Sequence, residues 1–273
     1  MYLIFTEEEI KIEQDFKQRD GFRPLSGICY TGRMSRKRKF AVFDIDGTLI
    51  RWQLYHAVGD EMVRRGLIDA KAFAKVREAR MSWKRRTNSD SYHKYEAGLV
   101  ELVDGAMLGI RVADFERICE AVIDEYKDQV YTYTRNLVRK LQAEGYLLFV
   151  ISASQVEIVR LLAEHYKFDG YAGSTYPIAT GRFVGKKDLL MRDRKPVVLQ
   201  QLVEKFDATW HGSIGVGDSE SDIPMLAKVE QPVAFNPTKE LFEHAKKQGW
   251  KIVVERKNVV YELEPGDGSY LLA

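Results

Sequence analysis

Disulfide chemistry is the first thing this chain does without. Its 273 residues hold only two cysteines, Cys29 and Cys119, too few for a disulfide framework, which points to a reducing compartment and to stability drawn from an apolar core. No apolar run approaches the ~20 residues needed to cross a bilayer. Charge of one sign is not in excess either: 42 Lys and Arg face 40 Asp and Glu, so no overall field argues for nucleic acid or a membrane surface as a partner. Internal repeats and low-complexity tracts are missing. The apolar start Tyr2-Leu-Ile-Phe5 runs straight into Glu7, Glu8 and Glu9, unlike a secretory leader. These absences lead to the expectation of a cytoplasmic globular protein. Its 45% apolar and 30% charged residues are in ordinary proportion, and its length suits one large or two modest domains.

What is present centres on residues 40–50, Phe-Ala-Val-Phe-Asp-Ile-Asp-Gly-Thr-Leu-Ile. The apolar residues over 40–45 read as a buried strand, and Gly47 breaks the chain directly after two carboxylates. Asp44 and Asp46 therefore sit at the C-terminal end of a strand, where open parallel α/β sheets bind ligands. Two residues apart on extended chain, they point the same way and can converge on one ligand. Carboxylates that close repel unless a cation or a shared proton offsets the charge. Taken alone, Asp-Gly is also an ordinary turn signal, so polar groups elsewhere in the chain have to decide between a turn and a site.

Residues 1–33 fit the rest poorly: a mixed-charge run that suits one helix over 6–18, then a turn-rich stretch. We read them as an N-terminal extension, with Met34 as an alternative start. The basic group Arg33, Arg36, Lys37, Arg38 and Lys39 reads as a solvated lead-in to the strand. Residues 52–127 switch to helical periodicity, with four helices around 54–63, 73–81, 95–107 and 112–126. From 128 onward strands and helices alternate. Helix 137–141 precedes strand 146–151, which ends in Ser152. Helix 156–162 and strand 171–176 come next, then a hairpin-like excursion at 181–185. Helix 195–206 leads to strand 213–216, which ends in Gly217-Asp218. A helix opening at Asp222 or Pro224, strand 233–235, helix 237–248 and strand 250–254 complete the pattern. The expected fold is α/β, a doubly wound parallel sheet with a Rossmann-like core over 34–51 and 128–273 and an inserted α-helical cap over 52–127.

Three strand ends thus carry polar groups, Asp44/Asp46, Ser152 and Asp218. Lys195 at a helix start and Asp222 on a turn into a helix can join them at one edge of the sheet. Several carboxylates around one point call for a hard cation, and oxygen-only ligation suits Mg2+. A lysine and a serine beside it are what a phosphate needs. This combination, in this order, resembles the haloacid dehalogenase superfamily of phosphohydrolases, and the cap resembles that of the subgroup that includes phosphoserine phosphatase. The resemblance rests on Asp44-Ile-Asp-Gly-Thr-Leu49, Ser152, Lys195 and Gly217-Asp-Ser-Glu-Ser-Asp222, and covers roughly residues 40–254.

The resemblance implies a Mg2+-dependent phosphomonoesterase acting on a small soluble phosphorylated metabolite, with Asp44 as a nucleophile that becomes an aspartyl phosphate. It makes Asp46 the acid and base, and a metal ligand through its carbonyl. Asp218 becomes a direct metal ligand; Asp222 either binds the metal through water or orients Lys195. Ser152, Lys195 and the amides near Gly47 and Ala153 hold phosphate, and Thr48 supports the loop. Phosphoserine phosphatases carry an acidic residue shortly after the first motif to meet the substrate's ammonium. Gln53 stands there here, after Trp52, so phosphoserine is not the first choice. Trp52, Gln53, Tyr92 and His93 are candidates for recognising the leaving group, while the basic run with Arg77, Arg80, Lys84 and Arg85 reads as a solvated helix face. Phosphotransfer to an acceptor alcohol and a non-catalytic binding or regulatory role remain the alternatives, and the oligomeric state is left open.

Overall fold

In the computed structural model, which describes residues 37–86, 91–188, 193–266 and 269–272, the first strand, β1, spans Lys39–Phe43. The extension over 1–33, its expected helix, Cys29, Arg33 and Arg36 lie outside the described residues. β1 is shorter than the apolar run suggested. Asp44 and Ile45 leave the strand, although the Asp44 N–H still donates to the Val216 carbonyl at 3.0 Å. Four helices come next, α1 (Leu54–Arg64), α2 (Ala70–Lys84), α3 (Ser91–Met107) and α4 (Val112–Tyr126). They occupy the stretches whose apolar residues recur at helical spacing. Asp69 starts α2 by accepting from the Ala72 N–H at 2.8 Å, an N-cap that satisfies one of the orphan donors of the first turn.

The alternation then runs α5 (Thr132–Ala143), β2 (Leu147–Gln155), α6 (Val156–Tyr166), β3 (Gly170–Ser174), β4 (Ile178–Ala179), β5 (Arg182–Phe183), α7 (Lys195–Lys205), β6 (Thr209–Gly217), α8 (Ile223–Leu226), β7 (Gln231–Phe235), α9 (Lys239–Gln248), β8 (Lys251–Arg256), β9 (Val259–Gly266) and β10 (Ser269–Leu272). Among the described residues, eight strands form one sheet in the order β10-β9-β8-β7-β6-β1-β2-β3. From β3 to β8 all neighbours are parallel. β9 and β10 extend the edge antiparallel, beyond the last strand legible in the sequence. The turn that launches β9 puts Lys257 at φ 55° without the Asn-Gly or Asp-Gly pair that marks such a turn.

Side chains alternate between the two faces, as a strand's period of two requires. Ala41 and Phe43 join Val150, Val216 and Phe235 in a core with α5 and α6, while Phe40 and Val42 join Phe149, Ile151 and Ala234 beneath α7, α8 and α9. Burial on both faces explains why these strands read as continuous apolar runs. Leu54, Val58, Phe73, Leu99 and Phe115 of the inserted helices belong to the first of these cores, so the insertion shares its apolar interior with the sheet layer. Across the contact of α4 with α6, Arg160 Nη2 lies 3.1 Å from Glu116. The β4–β5 hairpin turns at Thr180 and Gly181, with φ of 50° and 71°, the two positive values a tight hairpin turn demands. Its far strand bonds the segment between α3 and α4, Gly109 N–H to Phe183 O at 2.9 Å and Phe183 N–H to Ile110 O at 3.0 Å.

Candidate active site

β1 lies between β2 and β6, so the three strand ends that carry polar motifs are adjacent. Asp44 is buried at the tip of β1. The buried Lys195, first residue of α7, reaches it from below: Nζ donates to Asp44 Oδ1 at 2.8 Å and to Asp222 Oδ1 at 2.6 Å. Pro196 directly after Lys195 starts the helix where a missing donor costs nothing. The other oxygen of Asp222 accepts from the N–H groups of Asp218 and Ser219, each at 3.1 Å, and from the Ser219 hydroxyl at 3.2 Å. Asp222 thereby fixes the loop that carries Asp218. Gly217 makes this fold-back possible, because a Cβ there would lie 2.6 Å from that of Asp222.

Asp46 is held from two sides. Its Oδ1 accepts from the Leu54 N–H at 2.6 Å, so the carboxylate serves as the cap that Gln53 does not provide to α1. Its Oδ2 accepts from the Ser154 hydroxyl at 2.8 Å, with Ser152 Oγ at 3.4 Å. Between the two aspartates and α1 the chain coils tightly, with the N–H groups of Thr48, Leu49 and Ile50 all donating to the Ile45 carbonyl. The Gly47 N–H is taken by the Ile50 carbonyl at 3.0 Å. Gly47 has φ +85°, and a Cβ on it would overlap the Asp218 carboxylate. Thr48 is buried; its carbonyl accepts from Thr134 Oγ1 at 2.9 Å, and its own hydroxyl has no partner. Ala153 is exposed at the end of β2, its carbonyl held by Ser174 Oγ at 2.7 Å.

Burial is the main cause of the unusual acidities here. It pushes the Asp44 carboxyl up to about 7, with Lys195 pulling the other way and Asp222 and Asp46 adding to the rise. Burial also raises Asp46 against its bonds from Leu54 and Ser154. Asp218 is raised well above the usual range by burial and by Asp44 and Asp222. For Lys195 burial works downward, but Asp222 and Asp44 more than offset it, and its acidity is weaker than usual. Among the described residues, the Lys195 ammonium thus bonds Asp44 and Asp222, and its charge also acts on Asp46 and Asp218. Carboxylate oxygens of Asp44, Asp218 and Asp222 all lie within 4.8 Å of one another. An all-oxygen donor set with surplus negative charge fits a hard divalent cation, and the bare Gly47 leaves the space that the Asp218 carboxylate occupies.

The helical layer contributes a polar wall. Tyr95 donates to Gln53 Oε1 at 2.9 Å, and Gln53 Nε2 lies 3.5 Å from the Tyr92 hydroxyl. The Tyr95 hydroxyl also lies 2.9 Å from His56 Nδ1, whose other nitrogen is 3.1 Å from Asp60. Burial weakens the Tyr92 acidity, and the Glu96, Asp218 and Asp46 carboxylates add to that. Trp52 carries the Arg80 guanidinium on its face at 3.8 Å and Lys84 at 5.1 Å. Arg80 is therefore packed against the wall rather than spread in solvent. Arg77 pairs with Asp60 at 2.5 Å. His93 lies on α3, and its side chain is outside the described residues. Sequence reasoning missed Ser154, although the signal was there: Ser152-x-Ser154 repeats at the end of β2 the two-residue spacing of Asp44-x-Asp46. It also missed His56; Tyr95, like Trp83, is named by the sequence as an aromatic that could line the pocket, although its helical spacing reads first as packing.

Comparison with known proteins gives the site a context. Residues 41–227 match the profile of the haloacid dehalogenase-like hydrolases. A histidinol-phosphatase of Neisseria meningitidis serogroup C is 26% identical over 233 residues, covering 79% of this chain and 98% of that protein. A phosphoserine phosphatase of Mycobacterium tuberculosis is 26% identical over 219 residues, 78% of this chain and 69% of its own. Among solved structures, a phospho-aspartyl intermediate analogue of phosphoserine phosphatase aligns with TM-score 0.55 at 17% identity over 82% of this chain and 96% of that one, a likeness of fold.

Proposed function

Since the chain belongs to the haloacid dehalogenase-like hydrolases, and its relatives include phosphatases, we propose that it is a Mg2+-dependent phosphomonoesterase that hydrolyses a small soluble phosphorylated metabolite through an aspartyl phosphate on Asp44. The observation that carries this reading is the Asp44 carboxylate at a strand end, bonded to the Lys195 ammonium at 2.8 Å and sharing a 4.8 Å cluster with Asp218 and Asp222. Asp44 and Asp218, with the Asp46 carbonyl, would hold the cation. Asp222, both of whose oxygens are engaged, acts by orienting Lys195 and the Asp218 loop. When bound, the cation offsets the repulsion between a carboxylate nucleophile and a phosphate dianion.

Asp44 attacks phosphorus, and Lys195 neutralises charge on the transferring group, so that one hard displacement becomes two easier ones. Asp46 protonates the leaving oxygen and then takes a proton from the attacking water, a role served by an acidity tuned toward working pH. Ser152 and the exposed loop at Ala153 receive phosphate oxygens. Gln53 is neutral and tied to Tyr95, which disfavours a leaving group selected by its ammonium alone. The test is phosphate release from a panel of phosphomonoesters that includes histidinol phosphate and phosphoserine, with Mg2+ and with chelator. Asp44→Asn is expected to abolish metal-dependent turnover while leaving the far-ultraviolet spectrum unchanged. Unaltered turnover in that variant would sink the nucleophile assignment. A new phosphoester formed only with added alcohols would mean phosphotransfer instead.

A further inference from the structure

Asp46 is gripped by two donors of different chemistry. The Leu54 N–H at 2.6 Å can only donate. The Ser154 hydroxyl at 2.8 Å can donate to the carboxylate and, by rotating, accept from the protonated carboxyl. A carboxyl oxygen keeps a lone pair for a donor in both protonation states, so the hydroxyl can hold the group in place while the carboxyl proton points at the leaving oxygen. We propose that Ser154 is the positioning residue of the acid–base step, holding the Asp46 carboxyl aimed at the leaving oxygen whether or not it carries the proton. This rests on the reading of Asp46 as acid and base.

The surroundings of Ser154 are built to fix it. It is buried at 2% exposure, and its N–H donates to Ser152 Oγ at 3.0 Å. The preceding carbonyl, that of Ala153, is held by Ser174 at 2.7 Å. On the next strand Gly173 closes the space: a Cβ there would come within 2.7–2.9 Å of the Val156 backbone and the Ser154 carbonyl. The β2–β3 register shifts between Ile151 and Gln155, the stretch that carries both serines, and both reach the same Asp46 oxygen. Leu54 belongs to the inserted helices and Ser154 to the sheet, so the carboxyl is fixed by both layers at once.

In the first half-reaction the Asp44 oxygen bonds to phosphorus as the bond to the leaving alcohol breaks, and the Asp46 proton moves to that alcohol's oxygen. In the second, water bonds to phosphorus, the Asp44 bond breaks, and the water's proton returns to Asp46. Loss of Ser154 therefore slows the first half-reaction only where the leaving oxygen needs a proton, whereas the second half-reaction, which uses Asp46 as base, is slowed alike for every ester. The experiment compares the single-turnover rate of leaving-group release from an alkyl phosphomonoester and from nitrophenyl phosphate, whose phenolate leaves unprotonated, for the Mg2+-loaded full-length wild type, Ser154→Ala, Ser154→Cys and Asp46→Asn. Ser154→Ala is expected to lose ~10–100-fold on the alkyl ester and less than ~3-fold on the aryl ester, within the range general acid–base catalysis supplies. Ser154→Cys, close in size and a weaker donor, shows the same pattern to a smaller degree and covers the case in which alanine fails to fold. An equal loss on both esters, or no loss, overturns the proposal when Asp46→Asn itself discriminates between them. If Asp46→Asn does not discriminate, the underlying assignment of Asp46 fails instead.

Discussion

A methyl group added at Gly47 would meet the Asp218 carboxylate while the backbone stays at φ +85°, so Gly47→Ala combines a clash with strain worth ~1–3 kcal/mol. The expected outcome is a lower melting temperature and weakened Mg2+ binding by calorimetric titration, since Asp218 is the group displaced. The pair Asp44-x-Asp46 and its glycine were legible in the sequence because strand periodicity and a turn residue define them locally. Ser154 had a local signal too, its two-residue spacing from Ser152, but a serine at a strand end does not reveal that an Asp46 oxygen lies across from it. Glu157 is a second residue visible only in three dimensions. Burial pushes its carboxyl up to about 7 from 4.5, with the facing Glu116 adding to the rise and Arg160 opposing it. The folded protein then holds a proton that the unfolded chain has released between pH 4.5 and 7, so stability contributed there falls as pH rises through that window. At ~1.36 kcal/mol per unit the loss is at most ~3 kcal/mol. Urea denaturation at pH 5 and pH 8 should show Glu157→Gln gaining on the wild type at the higher pH; parallel curves would contradict this.

Helix α5 starts without a local cap, and a strand supplies one. Glu255 of β8 accepts from the Thr132 and Tyr133 N–H groups at 3.0 and 2.8 Å, a carboxylate at a helix N-terminus where the dipole favours it. The same helix carries Thr134, whose hydroxyl holds the Thr48 carbonyl in the nucleophile loop. Glu255→Ala is expected to cost ~1–2 kcal/mol by chemical denaturation and to lower kcat more than KM, because the loop behind Asp44 loses its brace. Equal stability of the two proteins would show that water replaces the cap. Helices with their own caps or strong periodicity, such as α2 and α4, were placed from sequence within a few residues. The cap of α5 comes from over a hundred residues away and leaves no local trace. β9 and β10 do carry short apolar runs, Val259-Val-Tyr261 and Tyr270-Leu-Leu272, with the turn pair Asp267-Gly268 between them, a signal too brief to stand out beside the longer buried strands.

The alternation of strands and helices makes the whole architecture legible, since burial on both faces writes itself into the strands as apolar runs. What the alternation does not reveal is how far the inserted helices merge with the sheet layer. Their apolar residues look like a separate unit, yet they pack into the core around Phe43 and Phe235. The central place of β1 also bears on synthesis. Both of its neighbours, β2 and β6, are encoded after the entire helical insertion, so the most apolar strand of the sheet leaves the ribosome long before it has anything to pair with. At ~5–20 residues per second it waits several seconds as an unpaired, aggregation-prone segment. The basic residues just ahead of it, Arg36, Lys37, Arg38 and Lys39, are the kind of flanking charge that opposes self-association of such a segment. Pulse-labelled hydrogen exchange during refolding should find β1 protected no earlier than β6. Neutralising Arg36 and Lys37, which spares the two Arg38 hydrogen bonds to the Gly145 and Tyr146 carbonyls, should lower the yield of soluble protein more than it lowers the stability of what does fold.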